Sequence, residues 1–418
     1  MKFSQFPVDV IDSNVSYTVK EITNVIKKYG PRESAGEACY SAQKHMAKEM
    51  NQFSDEVHFE EFETAPKAFL HFTKSVSVFV MLSVIAASIF GFVKNDWLIP
   101  NIIILVTTFL GLMITAFEFL FYKEFCDVLY KKKTAHNLIG SRKPTGKITK
   151  RIIISGHCDS AYEWTPLYKF GGKRFGPYIA SSIVFSIISF VLSIVNIVLV
   201  STNGANAFTE YSWYFNFLMF VTMIMLFSFV NFKRVVPGAN DNLTGTYAAV
   251  CALRMMEEAN INLEHTEVVA LVTDGEECGL RGAKAWAKAH RDEILGSEIE
   301  TVFIGVDTLK DLPHFNVYNR DMTGTVGHDR ALSKMVKDAG DEAGYKMEYA
   351  NVYFGASDAA AVTKLGLKAT CIAAMDPTPA DYYHTRNDSF DILDPEAIKA
   401  GYKVIMASIL KFDEQGLN

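Results

Sequence analysis

RIIISGHCDS, residues 151–160, is a short apolar run that ends in polar chemistry. Three consecutive isoleucines closed by a glycine fit a buried strand. Gly156-His157-Cys158-Asp159-Ser160 then presents imidazole, thiol and carboxylate where that strand stops. The pattern recurs downstream. Val268–Val272, Val302–Val306 and Thr370–Ala374 are further buried-strand runs. Helical spacing fills the intervals at 244–259, 280–290, 330–343, 359–365 and 395–412. Upstream, two helices end near Gly30 and Gln52, and VHFEEFE at 57–63 alternates like a half-exposed strand. Strands alternating with helices predict an α/β domain. Its sheet is mixed, mostly parallel and flanked by helices.

Polar residues cluster just after the strands, where open α/β sheets bind ligands. In chain order the clusters are Gly156–Ser160, Gly238–Asn242, Asp274–Gly279, Val306–Thr308 and Tyr382–Thr385. Each has a bland reading alone: His157 as a hydrogen-bonded histidine, Asp241 as a turn residue, Glu276 and Glu277 as a solvated face. Together they offer imidazoles and carboxylates, a mixture suited to zinc.

The 418 residues are 49% apolar, with 31 Phe, 18 Tyr and 4 Trp, which excludes a disordered chain. A net charge of −6 gives no basis for nucleic-acid binding. Six scattered cysteines without a C-x-x-C pair fit a reducing compartment. The opening residues, MKFSQFPVDVIDSNVSY, lack the apolar core of a secretion leader.

The apolar excess is concentrated in four segments, 75–93, 98–121, 178–200 and 213–232, each about long enough to cross a bilayer. Aromatic residues such as Trp97, Tyr122, Tyr178 and Trp213 sit near their ends, as headgroup-level anchors do. The segments form two hairpins, 75–122 and 178–232. They leave three pieces of one soluble domain: 1–74, 123–177 and 233–418. The 123–177 loop holds twelve Lys and Arg, the 201–212 loop none. That asymmetry predicts cytoplasmic termini and a cytoplasmic soluble domain, with the lipid bilayer as a partner.

The motifs resemble the co-catalytic di-zinc aminopeptidases, a family that also contains glutamate carboxypeptidases and glutaminyl cyclases. The resemblance rests on HCD at 157–159, GANDNLTG at 238–245, GEECGLRG at 275–282, VD at 306–307 and YHTRND at 383–388, with YGPR at 29–32 similar to the family's opening. It implies a peptidase domain interrupted by four transmembrane helices and acting on peptides. Two zinc ions are implied, one held by His157 and Asp307, the other by Glu277 and His384, with Asp241 between them. Glu276 would be the general base for a metal-bridged hydroxide, and Asp159 the carboxylate behind a ligand. Tyr383 would be a candidate oxyanion donor. A carboxylate between two cations offsets their repulsion, and zinc makes hydroxide available near neutral pH, so the physics agrees with these roles.

One departure is Ser357-Asp358-Ala359, where the family often has Ser-Asp-His. The alternatives to an aminopeptidase are a carboxypeptidase or glutaminyl cyclase on the same scaffold, or a catalytically silent membrane scaffold protein.

Overall fold

The computed structural model describes residues 2–378 and 380–417. They form two compact units. The first gathers the N-terminal stretch to Pro66, Lys132–Tyr162 and the stretch from Arg234 onward. The second is Lys67–Lys131 with Glu163–Lys233.

The first unit is built on a mixed nine-stranded sheet. Its strands are β1 (Glu56–Thr64), β2 (Lys133–Arg142), β3 (Lys150–His157), β4 (Thr266–Thr273), β5 (Glu300–Leu309), β6 (Phe315–Asp321), β7 (Val326–Gly327), β8 (Tyr349–Asn351) and β9 (Ala369–Ala374). The order is β1-β2-β4-β3-β5-β9-β6-β8, with β7 beside β6. The central strands β4, β3, β5 and β9 run parallel to one another. The pairings β1-β2, β2-β4 and β9-β6 are antiparallel. This is the predicted mixed α/β sheet. β4 is buried at every position, as a central strand covered on both faces must be. Helix Gly245–Glu258 packs into the core through Ala248, Val250, Leu253 and Met256, joined there by Ile398, Val404, Ile405 and Ile409 of helix Pro395–Gln415.

The register aligns the strand ends. His157 pairs with Thr273 across β3 and β4, and Ser155 with Gly305 across β3 and β5. Asp307 pairs with Ala373 across β5 and β9. The polar residues that follow these strands therefore emerge along one sheet edge.

The second unit is helical. Ala68–Lys94, Leu98–Leu120 and Gly172–Asn203 are each long and apolar enough to cross a membrane. The last turn of the second is π-helical over Ala116–Leu120. The fourth apolar segment, expected over 213–232, is helical over Tyr214–Phe227. Its final residues join strand Val230–Val235 instead. Ser182, Ser186, Ser189, Ser193 and Asn196 form one buried seam on the third helix. Small and polar residues at this spacing allow helices to pack closely. Asn196 donates to Asn101 Oδ1 at 3.2 Å and Ser212 Oγ at 2.9 Å, and Trp213 Nε1 to Ser88 Oγ at 3.2 Å. Leu82, Ile89, Val191 and Val198 point outward and are exposed. All six cysteines are free and buried.

Candidate metal centre

His157 is the last residue of β3 and is buried. The chain before it has no room for a side chain. A Cβ on Gly156 would lie 2.3 Å from the backbone of Gly245, and one on Gly245 2.2 Å from the Val306 carbonyl oxygen. These two glycines let the start of helix Gly245–Glu258 close onto the ends of β3 and β5. Thr246 Oγ1 donates to the His157 carbonyl at 2.6 Å, and Asn242 Nδ2 to the Val306 carbonyl at 2.8 Å. The irregular turn Ala239–Thr244, which carries Asp241, is thereby pinned over the sheet edge.

Asp241 lies between the two imidazoles. Its Oδ1 is 3.3 Å from His157 Nε2, and its Oδ2 is 3.1 Å from His384 Nε2. Glu277 Oε2 is 3.3 Å from the same His384 nitrogen. Glu276 Oε2 approaches His157 Nε2 to 3.8 Å. Ligand atoms of His157, Asp241 and Glu277 lie within 4.8 Å of one another, as do those of His157, Glu276 and Asp307. All five ligand residues expected from the sequence, and the expected base, therefore converge. Tyr383 stacks on the His384 ring with centroids 3.9 Å apart. It also lines an apolar pocket beside Asp307 with Thr308, Tyr318, Val352, Phe354 and Met375.

Asp159 does more than stand behind a histidine. Its Oδ1 is 3.5 Å from His157 Nδ1 and accepts the Glu276 backbone N–H at 3.2 Å. Its Oδ2 accepts the Glu277 N–H at 3.1 Å and the Ser34 hydroxyl at 2.6 Å. One carboxylate thus orients the imidazole and both glutamates. Arg32 is fully buried and donates to the carbonyls of Cys158 at 2.7 Å, Pro237 at 2.8 Å and Gly238 at 2.8 Å, tying the two ligand-bearing turns together. The sequence hinted at Arg32 only through its resemblance to the family's opening, and it left Ser34 without a role. In the Ser-Asp-Ala stretch, Asp358 accepts the Thr273 hydroxyl at 2.6 Å, and Ala359 is buried facing Gly305.

The electrostatics are those of a cation site. Burial disfavours charge on His157, yet Glu276, Asp159 and Asp241 hold it well above the usual histidine range. Burial also opposes the Asp241 charge, but the two imidazoles keep it well below the usual carboxylate range. Burial pushes Asp307 up to about 7, with the Asp241 charge adding to the shift. Glu276 and Glu277 are also pushed well up, by burial first and by neighbouring carboxylates in addition. His157 Nε2, Asp241 Oδ2 and Glu277 Oε1 are buried with no well-directed hydrogen bond among the described residues. Buried nitrogen and oxygen donors of this kind, with an excess of carboxylates, fit divalent zinc.

A third cluster is different. His45 Nε2 lies 3.1 Å from Glu21 Oε2 and 3.7 Å from Glu49 Oε1, and Tyr17 bonds Glu49, so these groups satisfy one another. His328, which has no motif around it, is a buried structural residue between Asp321 and Thr363.

Residues 222–409 match the model of peptidase family M28. The match bears out the family resemblance read from the motifs. It spans four of the five motifs, while His157-Cys158-Asp159 lies outside it, on the far side of the 178–232 segment. Among solved structures, the aminopeptidase from Aneurinibacillus sp. strain AM-1 is similar, with 13% identity, 97% of this chain and 94% of that one covered, and a TM-score of 0.54. The zinc aminopeptidase from Bacillus subtilis has 13% identity, 94% of each chain and a TM-score of 0.54. The glutaminyl cyclase from Bacteroides thetaiotaomicron has 14% identity, 97% of this chain and 98% of that one, and a TM-score of 0.53. At these identities the M28 likeness to solved structures concerns the fold. No curated protein matches the chain.

Proposed function

We propose that the protein is an integral membrane di-zinc metallopeptidase of the M28 type that removes N-terminal residues from peptides. The observation that carries this reading is the position of Asp241, one carboxylate oxygen toward each imidazole. His157 and Asp307 would hold one zinc, Glu277 and His384 the other, and Asp241 both. When bound, two zinc ions polarise the scissile carbonyl and make water acidic enough to react near neutral pH.

The chain's own residues do the rest. Glu276 takes a proton from the attacking water at its carboxylate and passes it to the leaving nitrogen, so the peptide C–N bond breaks with a neutral amine, not an amide anion, as the leaving group. Asp159 keeps the Glu276 backbone and the His157 ring in register for that transfer. The apolar pocket lined by Asp307 and Tyr383 would accommodate the side chain of the terminal residue, and Tyr383 would donate to the developing oxyanion. A panel of matched peptides tests this. Peptides with a free α-amine and an apolar first residue should be cleaved. Their N-acetylated counterparts should be inert. Release of C-terminal residues, or cyclisation of N-terminal glutamine, would assign one of the alternatives instead.

The three membrane-long helices support an integral membrane protein, and the basic 123–177 loop supports a cytoplasmic domain. A cysteine introduced near Asn203 should be labelled from outside intact cells, and one near Tyr168 should not. The reverse pattern would invert the orientation.

A further inference from the structure

We propose that Asp388 is a positioning residue that fixes Asp241 between the two imidazoles. The inference rests on the reading of Asp241 as the shared ligand. Asp388 is fully buried. Its Oδ1 accepts the Asn240 backbone N–H at 2.9 Å and Asn240 Nδ2 at 2.8 Å. Its Oδ2 accepts the Asp241 N–H at 3.0 Å, and its own carbonyl accepts the Ala239 N–H at 3.2 Å. Three successive backbone donors, ending on the ligand itself, are thus gripped by one residue.

Asp388 is itself held in place. Its backbone N–H donates to the Thr385 carbonyl at 3.1 Å, and buried Thr385 Oγ1 donates to the Tyr382 carbonyl at 2.8 Å. His384 precedes Thr385. A single loop therefore supplies one imidazole and the clamp on the carboxylate that faces it. Their separation is set by that loop and not by the long chain between residues 241 and 384. Asn240 Oδ1 is buried with no hydrogen bond among the described residues, so its amide is oriented through Nδ2 toward Asp388. The donor count explains why a carboxylate is needed. An asparagine at 388 has one acceptor oxygen for three donors and would turn an N–H₂ group toward an N–H.

The test uses the full-length purified protein. Zinc affinity is measured by competition with a chelator, kcat and KM with a free-amine peptide, and the melting temperature on metal-free protein. Asp388→Asn should weaken zinc binding by about 10- to 100-fold, the usual effect of losing an outer partner of a metal ligand. It should lower kcat in step, with KM little changed. A folded Asp388→Asn protein with wild-type zinc affinity and kcat would overturn the proposal, as would a lower melting temperature with zinc affinity unchanged. If that variant does not fold, Asn240→Ala decides. It keeps the backbone bonds and removes the side-chain donor, and should weaken zinc about fivefold, the effect of one lost hydrogen bond. Unchanged affinity would again overturn the proposal. Wild-type protein that takes up no zinc defeats the metal reading beneath it, whereas zinc-binding wild type with unaffected variants defeats this inference alone.

Discussion

Glu276→Gln is expected to lower peptide turnover by about two to four orders of magnitude while the protein keeps its full zinc content. The substitution preserves shape and removes the ability to accept a proton. It leaves the Glu276 backbone N–H on Asp159 intact, so the turn carrying Glu277 keeps its geometry. The structure also shows why this variant is informative. Glu276 stands in one donor group with His157 and Asp307, close enough to be a ligand itself. A general base and a ligand differ in what the variant loses. A base loses turnover and keeps metal, and a ligand loses metal as well. Near-wild-type turnover would remove Glu276 from the mechanism altogether.

Much of the site was legible because its ligands follow apolar strands. Ile152, Ile153 and Ile154 announce β3, and His157 is its last residue. Asp307 lies inside β5, and Glu276 and Glu277 follow β4 within four residues. Of the outer partners, Asp159 was legible through the family resemblance, whereas the roles of Asp388 and Arg32 were not, because both bond to backbone groups. Asp388 grips N–H groups about 150 residues upstream, and Arg32 binds carbonyls of turns at 158 and 237–238. No local pattern records such pairings.

The sheet shows the same division. The central strands are continuous apolar runs, while β2 has no such signature because KTAHNLIGSR mixes buried Asn137 and Ser141 among its apolar residues. Asn137 sits there for a reason: its Nδ2 donates to the Gly282 carbonyl at 2.9 Å. In the helical unit, composition marked the apolar segments well. The fourth ends as a helix at Phe227, because Val230 and Phe232, although apolar, belong to a strand.

Asp241→Asn is expected to have an effect at least as large as Glu276→Gln, and for a different reason. The amide retains the backbone bonds to Asp388 but is neutral and has one good donor oxygen where the carboxylate has two. The repulsion between two dications would then be uncompensated, and at least one would be lost or weakened. Loss of several kcal/mol of metal-derived stabilisation corresponds to about three orders of magnitude in turnover. Zinc counting separates this cleanly from the loss of a base. The most direct measurement is a titration of metal-free wild-type and Asp241→Asn protein with zinc, following bound metal and peptide hydrolysis together. The di-zinc account predicts two tight equivalents in the wild type, full activity only as the second is filled, and at most one tight equivalent in Asp241→Asn. A wild-type protein saturated and fully active with a single zinc would contradict it.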